Sequence, residues 1–186
     1  MCLEFSNNNE GLKSFAYELL LKLNKKNNPV FLCVGSDKFI CDSLAPIVAE
    51  MLKKKYNIRA YVYGGLEYNI NALNLCEVVN YIEAQHPNSA IVLIDATLGE
   101  NVGKIRLTNG SFAGCGKLVP NKKIGDISVL GVVGKVTSKF DLNSTKLKVV
   151  TRLADFISKG CAMAMWYKMQ MEKWQNLFKN YLKNVI

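Results

Sequence analysis

A chain of 186 residues, 49% of them apolar, is long enough to close one hydrophobic core and short for two, so a single domain spanning residues 1–186 is expected. No stretch of about 18 unbroken apolar residues occurs, and the opening Met1-Cys-Leu-Glu-Phe-Ser-Asn-Asn-Asn9 lacks the basic-then-apolar order of a secretory leader. The expectation is a soluble, cytoplasmic protein with no membrane partner.

The net charge of +9 is unevenly placed: from Lys146 to Ile186 there are eight basic residues against two acids. Such a skew suits an anionic partner. The lysines, however, are dispersed along a helical pattern and not interleaved with aromatics in a single-strand-binding manner, which argues against nucleic acid. Six cysteines show no C-x-x-C pair, and Cys33 and Cys76 fall at apolar-patterned positions, as reduced thiols do in a reducing compartment. His86, the single histidine, precedes Pro87 and reads as a solvated helix-end side chain. Triad chemistry and a zinc site of the usual spacing therefore find no support, and no metal or cofactor is expected.

In chain order, Gly11 to Lys25 carries Leu12, Phe15, Leu19 and Leu23 on one helical face. Val30 to Val34 is a continuous apolar strand, the pattern of a parallel sheet covered on both sides. Ser43 to Tyr56 follows as a helix, with Asp42 or Ser43 as N-cap and Pro46 in the first turn. Ile58 to Tyr63 reads as a strand and Asn69 to Gln85 as a helix with Ile70, Leu73, Cys76, Val79 and Ile82 inward. Ala90 to Ile94 is again a continuous strand.

This alternation is the doubly wound α/β signature and predicts a three-layer α/β/α sandwich with a mostly parallel sheet. Gly103 to Thr108 and Ile127 to Val136 are further strands, flanking a glycine-bearing loop and a basic turn. From Ser144 the chain is helical to its end, with a break expected at Gly160. In the last segment Tyr167, Met171, Trp174, Phe178, Tyr181, Leu182 and Val185 form one stripe. That stripe either packs on the sheet or joins a second copy of the chain.

The chemistry gathers at two acids. Asp42 closes the polar loop after the first continuous strand, and Asp95 follows Ile91-Val-Leu-Ile94 at the end of another. In an open parallel sheet, ligands collect at the carboxyl ends of strands where successive crossovers leave on opposite faces. A 2-1-3 strand order would bring the two acids into one cleft. Two close carboxylates cannot easily both ionise, so one keeps a proton while the other serves as base. That is sufficient equipment for peptide hydrolysis without histidine, metal or thiol.

Each acid also has a plain structural role open to it, Asp42 as an N-cap and Asp95 as a strand-end turn residue. Asp37 is either a third carboxylate or, as its position favours, the acceptor of an Asx-turn. Gly35, Ser36 and Asp37 in the first loop, with Gly114, Gly116 and Lys117 in the glycine-bearing loop, are the weaker candidates for substrate contact. Neither loop has the G-x-G-x-x-G or G-x-x-x-x-G-K-[ST] spacing of a nucleotide site.

Several ordered blocks carry a resemblance. Leu32-Cys-Val-Gly-Ser-Asp-Lys-Phe-Ile-Cys-Asp-Ser-Leu-Ala-Pro46, Tyr63-Gly-Gly-Leu66 with Asn71-Ala-Leu-Asn-Leu75, Ile94-Asp-Ala-Thr-Leu-Gly99 and Ile124-Gly-Asp-Ile-Ser-Val-Leu-Gly-Val-Val133 resemble the successive blocks of the YyaC-type sporulation proteins. These are relatives of the spore germination protease and, more distantly, of hydrogenase maturation proteases. The resemblance implies a phosphorylase/hydrolase-like fold and a sporulation-associated peptidase. Its aspartate pair would be Asp42 and Asp95, and its substrates proteins or peptides such as small acid-soluble spore proteins. The alternative is a non-catalytic sporulation factor that binds a protein or peptide on the same fold.

The chain departs from its relatives at named places. Ala45-Pro46 stands where the germination protease has Gly-Pro, Ala113-Gly-Cys-Gly116 replaces a Pro-Gly-x-Gly loop, and the lysine beyond that loop falls on Val119. Tyr63 occupies the position resembling the second acid of the hydrogenase maturation proteases, and no counterpart to their histidine is evident, so nickel sensing does not carry over.

Overall fold

A computed structural model of the chain describes residues 2–23, 27–110, 124–136 and 145–185. Gly114, Gly116 and Lys117, with Val119 and the basic turn, lie outside these described residues. The elements are β1 (Cys2–Phe5), α1 (Asn9–Leu23), β2 (Asn27–Cys33), α2 (Leu44–Glu50), β3 (Tyr61–Tyr63), α3 (Leu75–Gln85), β4 (Ser89–Leu98), β5 (Ile105–Asn109), β6 (Ile127–Gly134) and α4 (Leu147–Val185).

Six strands form one sheet in the order β1-β5-β6-β4-β2-β3. The β3-β2-β4-β6 part is parallel, while β5 and β1 run antiparallel to their neighbours. Helices α1, α2 and α4 cover one face, packing on Phe31, Cys33, Val92, Ile94 and Val129. Leu75, Val79 and Ile82 of α3 cover Val30, Leu32, Ile91 and Leu93 on the other. The protein is thus an α/β/α sandwich. The continuous apolar runs of β2 and β4 are explained by this double coverage, since successive side chains of a strand point to opposite faces and both must be apolar.

Several local expectations are corrected. Four residues, Cys2 to Phe5, add an antiparallel edge strand too short to announce itself. The strand expected from Ile58 is confined to Tyr61–Tyr63, because Ile58 N–H instead donates to the Leu52 carbonyl at the frayed end of the preceding helix, at 3.2 Å. That helix continues past α2 as a π turn over Met51–Lys55.

The helix expected from Asn69 begins only at Leu75. Asparagine side chains take up the backbone groups a first turn would need: Asn71 N–H donates to Asn74 Oδ1 (2.9 Å), Leu73 N–H to Asn71 Oδ1 (3.0 Å), and Asn74 Nδ2 to the Asn69 carbonyl (3.0 Å). The inward stripe shifts accordingly. Leu75 joins Val79 and Ile82, whereas Leu73 is 92% exposed and Cys76 is also at the surface. Cys33, by contrast, is buried, and burial pushes its thiol pKa up to about 12.

Gly160 does not break α4, which runs unbroken through it. A Cβ there would run into the ring of the fully buried Phe15 on α1, so this glycine serves close helix packing and not a stop. Gly160→Ala should therefore lower stability by about 1–3 kcal/mol through overpacking, even though alanine is the better helix former by about 1 kcal/mol. A urea titration showing an unchanged or higher midpoint would contradict this packing role.

Candidate active site

The order β3-β2-β4 is the 2-1-3 arrangement expected, and the crossovers on either side of β2 run on opposite faces, through α2 on one and α3 on the other. The carboxyl ends of β2 and β4 consequently form a switch point. Here β4 outlasts its neighbour. The β2 pairing ends at Cys33 opposite Ile94, with Val34 N–H still donating to the Ile94 carbonyl at 2.9 Å. On its other side β4 continues against β6, where Asp95 pairs with Leu130. Asp95 is therefore inside the strand and not at its terminus. It nevertheless sits at the first position that β2 leaves uncovered.

Gly35 follows β2 with a positive φ of +154°, a conformation that side-chain-bearing residues rarely adopt, and its N–H donates to the Ile70 carbonyl at 2.7 Å. A Cβ on this residue would collide with the carbonyl oxygen of Asp42. Missing that atom, Gly35 lets the loop fold back over the strand end, and Ser36 N–H donates to the same Asp42 carbonyl at 3.1 Å. Asp42 closes a single 3-10 turn, Ile40–Asp42, just before α2.

The N-cap position of α2 belongs to Ser43, whose hydroxyl donates back to the Ile40 carbonyl (2.9 Å) and makes no cap hydrogen bond. Asp42 is thereby relieved of the capping role open to it on sequence grounds. Asp37 makes no Asx-turn: its carboxylate accepts from Asn69 Nδ2 at 2.7 Å, joining the loop after β2 to the loop after β3. The local turn is held by Ser36, whose Oγ accepts from Lys38 N–H at 3.2 Å. Asn69 is a site residue that a helical reading of its segment conceals; the signal was the asparagine run Asn69, Asn71, Asn74.

The charge of Asp42 is felt at Asp95, where it is the smallest of the influences on that carboxyl. Burial raises the pKa of Asp95 to about 7, against a hydrogen bond from Ala96 N–H (2.7 Å) that favours the ionised form, and the charge of Asp42 raises it further. Asp42 itself is half-buried and shifted upward by burial, with the Ser36 N–H opposing the shift. The loop after β2 thus brings Gly35 and Ser36 against the Asp42 main chain, and Asp37 ties this loop to the one after β3, while Asp95 lies at the neighbouring strand end.

Two other features lie away from the cleft. His86 ends α3 and is not simply solvated: its Nε2 is hydrogen-bonded to Tyr63 Oη at 2.7 Å, and its ring stacks on Tyr61 with centroids 4.1 Å apart. Tyr63 is thereby tied to a residue preceding the amino end of β4, opposite the acids. Tyr63 and His86 bond to each other, and among the described residues no group of three or more His, Cys, Asp or Glu side chains is gathered for a metal such as nickel. A cavity of about 940 Å³ opens between α4 and the connection Tyr56–Tyr61, lined by Ile58, Met163, Trp166 and Met169 among others. Neither acid borders it.

Comparison with known proteins bears on these features. The model of the family described as "Protein of unknown function (DUF1256)" matches residues 4–160. The chain belongs to the DUF1256 family. It is 31% identical over 141 residues to "Uncharacterized protein YyaC" of Bacillus subtilis (strain 168), covering 72% of this chain and 68% of that protein. Among solved structures it is similar to the [NiFe] hydrogenase maturation protease HycI from Thermococcus kodakarensis KOD1, with a TM-score of 0.47 and 17% identity over 77% of this chain and 98% of that one. The matched DUF1256 region contains both acids, Gly35 and all of the sheet after Leu3, and ends at Gly160.

An aspartate with a folded pKa above its unfolded one binds a proton more readily when folded. The stability due to Asp95 is thus fully present below its ordinary pKa of 3.8 and lost as pH rises towards about 7. Asp95→Asn should abolish that decline and stabilise the protein above neutrality by on the order of 4 kcal/mol. Denaturation midpoints from pH 4 to 8 test this, and parallel curves for the two proteins would show that Asp95 titrates normally.

Proposed function

We infer that this DUF1256 protein is a cytoplasmic peptidase of sporulation whose Asp42 and Asp95 form the reacting pair. The observation that supports the reading is the position of both acids beside the carboxyl ends of the adjacent strands β2 and β4, with burial raising Asp95 to about 7 and the cap position of α2 held by Ser43. Support for a protein substrate comes from the resemblance of the blocks around Asp42 and Asp95 to those of the germination protease.

Near pH 7 Asp95 supplies a proton while Asp42, whose ionised form the Ser36 N–H favours against the effect of burial, is the base. Asp42 takes a proton from a water held between the carboxyls as the water oxygen bonds to the scissile carbonyl carbon. The C–N bond then breaks as Asp95 gives its proton to the departing nitrogen, leaving a free carboxyl and an amine. Asp42 returns its proton to Asp95, through water or directly, to restore the starting state. Ser36 N–H, hydrogen-bonded to the Asp42 carbonyl, holds the main chain of the base in place and favours its ionised form.

Asp42→Asn and Asp95→Asn, each shown to be folded, should cut cleavage of small acid-soluble spore proteins by at least about a hundredfold. The wild-type kcat/KM should fall as pH rises through about 7, where Asp95 loses its proton, and fall again in acid as Asp42 is protonated. Undiminished cleavage by both variants would end the assignment. Saturable binding of those proteins without product would favour the non-catalytic alternative.

A further inference from the structure

Helix α4 has 39 residues, about 58 Å of length. Only its first half has a surface to pack on. Val150, Leu153, Ile157, Cys161 and Ala164 are buried against the body, whereas every residue from Met171 to Leu182 is exposed. The outer half is not polar throughout, as a solvated helix would be. Eight large apolar side chains between Trp166 and Leu182 are at least 40% exposed, Trp174 at 72%. At 100° per residue they occupy an arc of roughly 160°, with lysines and amides on the remainder. Lys168, on that polar arc, is buried and paired with Glu172 at 3.1 Å, so the apolar arc, apart from Trp166 at the edge of the cavity beside Tyr56–Tyr61, is turned from the body.

From these observations we propose that the outer half of α4 pairs with the same segment of a second copy of the chain. Three features select this occupant. Tyr167, Met171, Trp174, Phe178 and Tyr181 follow one another at spacings of four, three, four and three, the seam of one helix against another. The eight side chains, each offering about 100 Å² at half exposure, supply about 800 Å², the share that each partner contributes to a stable interface. Gln170 sits within the arc, where a protein partner can hydrogen-bond to it and a lipid chain cannot.

The pairing is antiparallel. Each outer half projects from one end of its body, so parallel helices would drive the two bodies, each chain carrying a net +9, against one another. The antiparallel arrangement is isologous and sets the bodies at opposite ends of the pair. The proposal is independent of the aspartate chemistry.

Analytical ultracentrifugation of the full chain up to about 100 μM should give a species of twice the 20.8 kDa chain mass. A Trp174→Glu/Phe178→Glu double variant, its helicity and melting checked by circular dichroism, should weaken association at least about a hundredfold. Lys173→Glu, on the polar arc, should leave it intact. Should the double variant not fold, the milder Phe178→Gln takes its place with a smaller expected loss. A wild-type chain that stays monomeric overturns the proposal, as does a dimer indifferent to the seam substitutions. So does a monomer that floats with phosphatidylglycerol-containing vesicles and loses that binding in the double variant, which would assign the stripe to a lipid surface.

Discussion

The arrangement of the cleft depends on a missing atom. Asp42 reaches the switch point because its main-chain carbonyl occupies the space a side chain on Gly35 would need, allowing the loop to double back over β2. Without that close approach the 3-10 turn could not sit at the rim, and Asp42 would be carried off with α2 to the helical layer. Ser43, and not Asp42, stands at the start of α2.

The sheet supplies the second half of the arrangement. By parity Asp95 shares the face of Ile91 and Leu93, under α3, a region otherwise apolar. Ionising there is costly, and the opposing Ala96 N–H restores only part of what water would give. The surroundings thus hold the Asp95 carboxyl well above the usual carboxylate range.

Much of this was legible in the residues because it rests on patterning. Val30–Val34 and Ala90–Ile94, apolar at every position, can only be strands covered on both faces, and strand–helix alternation leads from them to a parallel sheet with a switch point. What was concealed depended on groups whose partners are distant or whose pairing is local and polar. The asparagines before α3 read as part of a helix until their side chains are seen bonding to the backbone, and with them Asn69 and the exposure of Leu73 and Cys76 were hidden. Gly160 reads as a helix stop because sequence shows its freedom and not the ring of Phe15 beside it. Asp95 reads as a strand terminus since nothing local says that β6 keeps pairing after β2 has stopped.

The margins of the sheet have a consequence of their own. Its two outermost strands are the shortest, three residues in β3 and four in β1, and Tyr61 at the start of β3 is stacked on His86. Stretches this brief offer a stray chain too few unpaired main-chain groups to template the growth of a fibril-like ribbon. The molecule is thereby guarded against uncontrolled aggregation through its backbone, and its encounters with other macromolecules are left to side-chain surfaces that selection can tune.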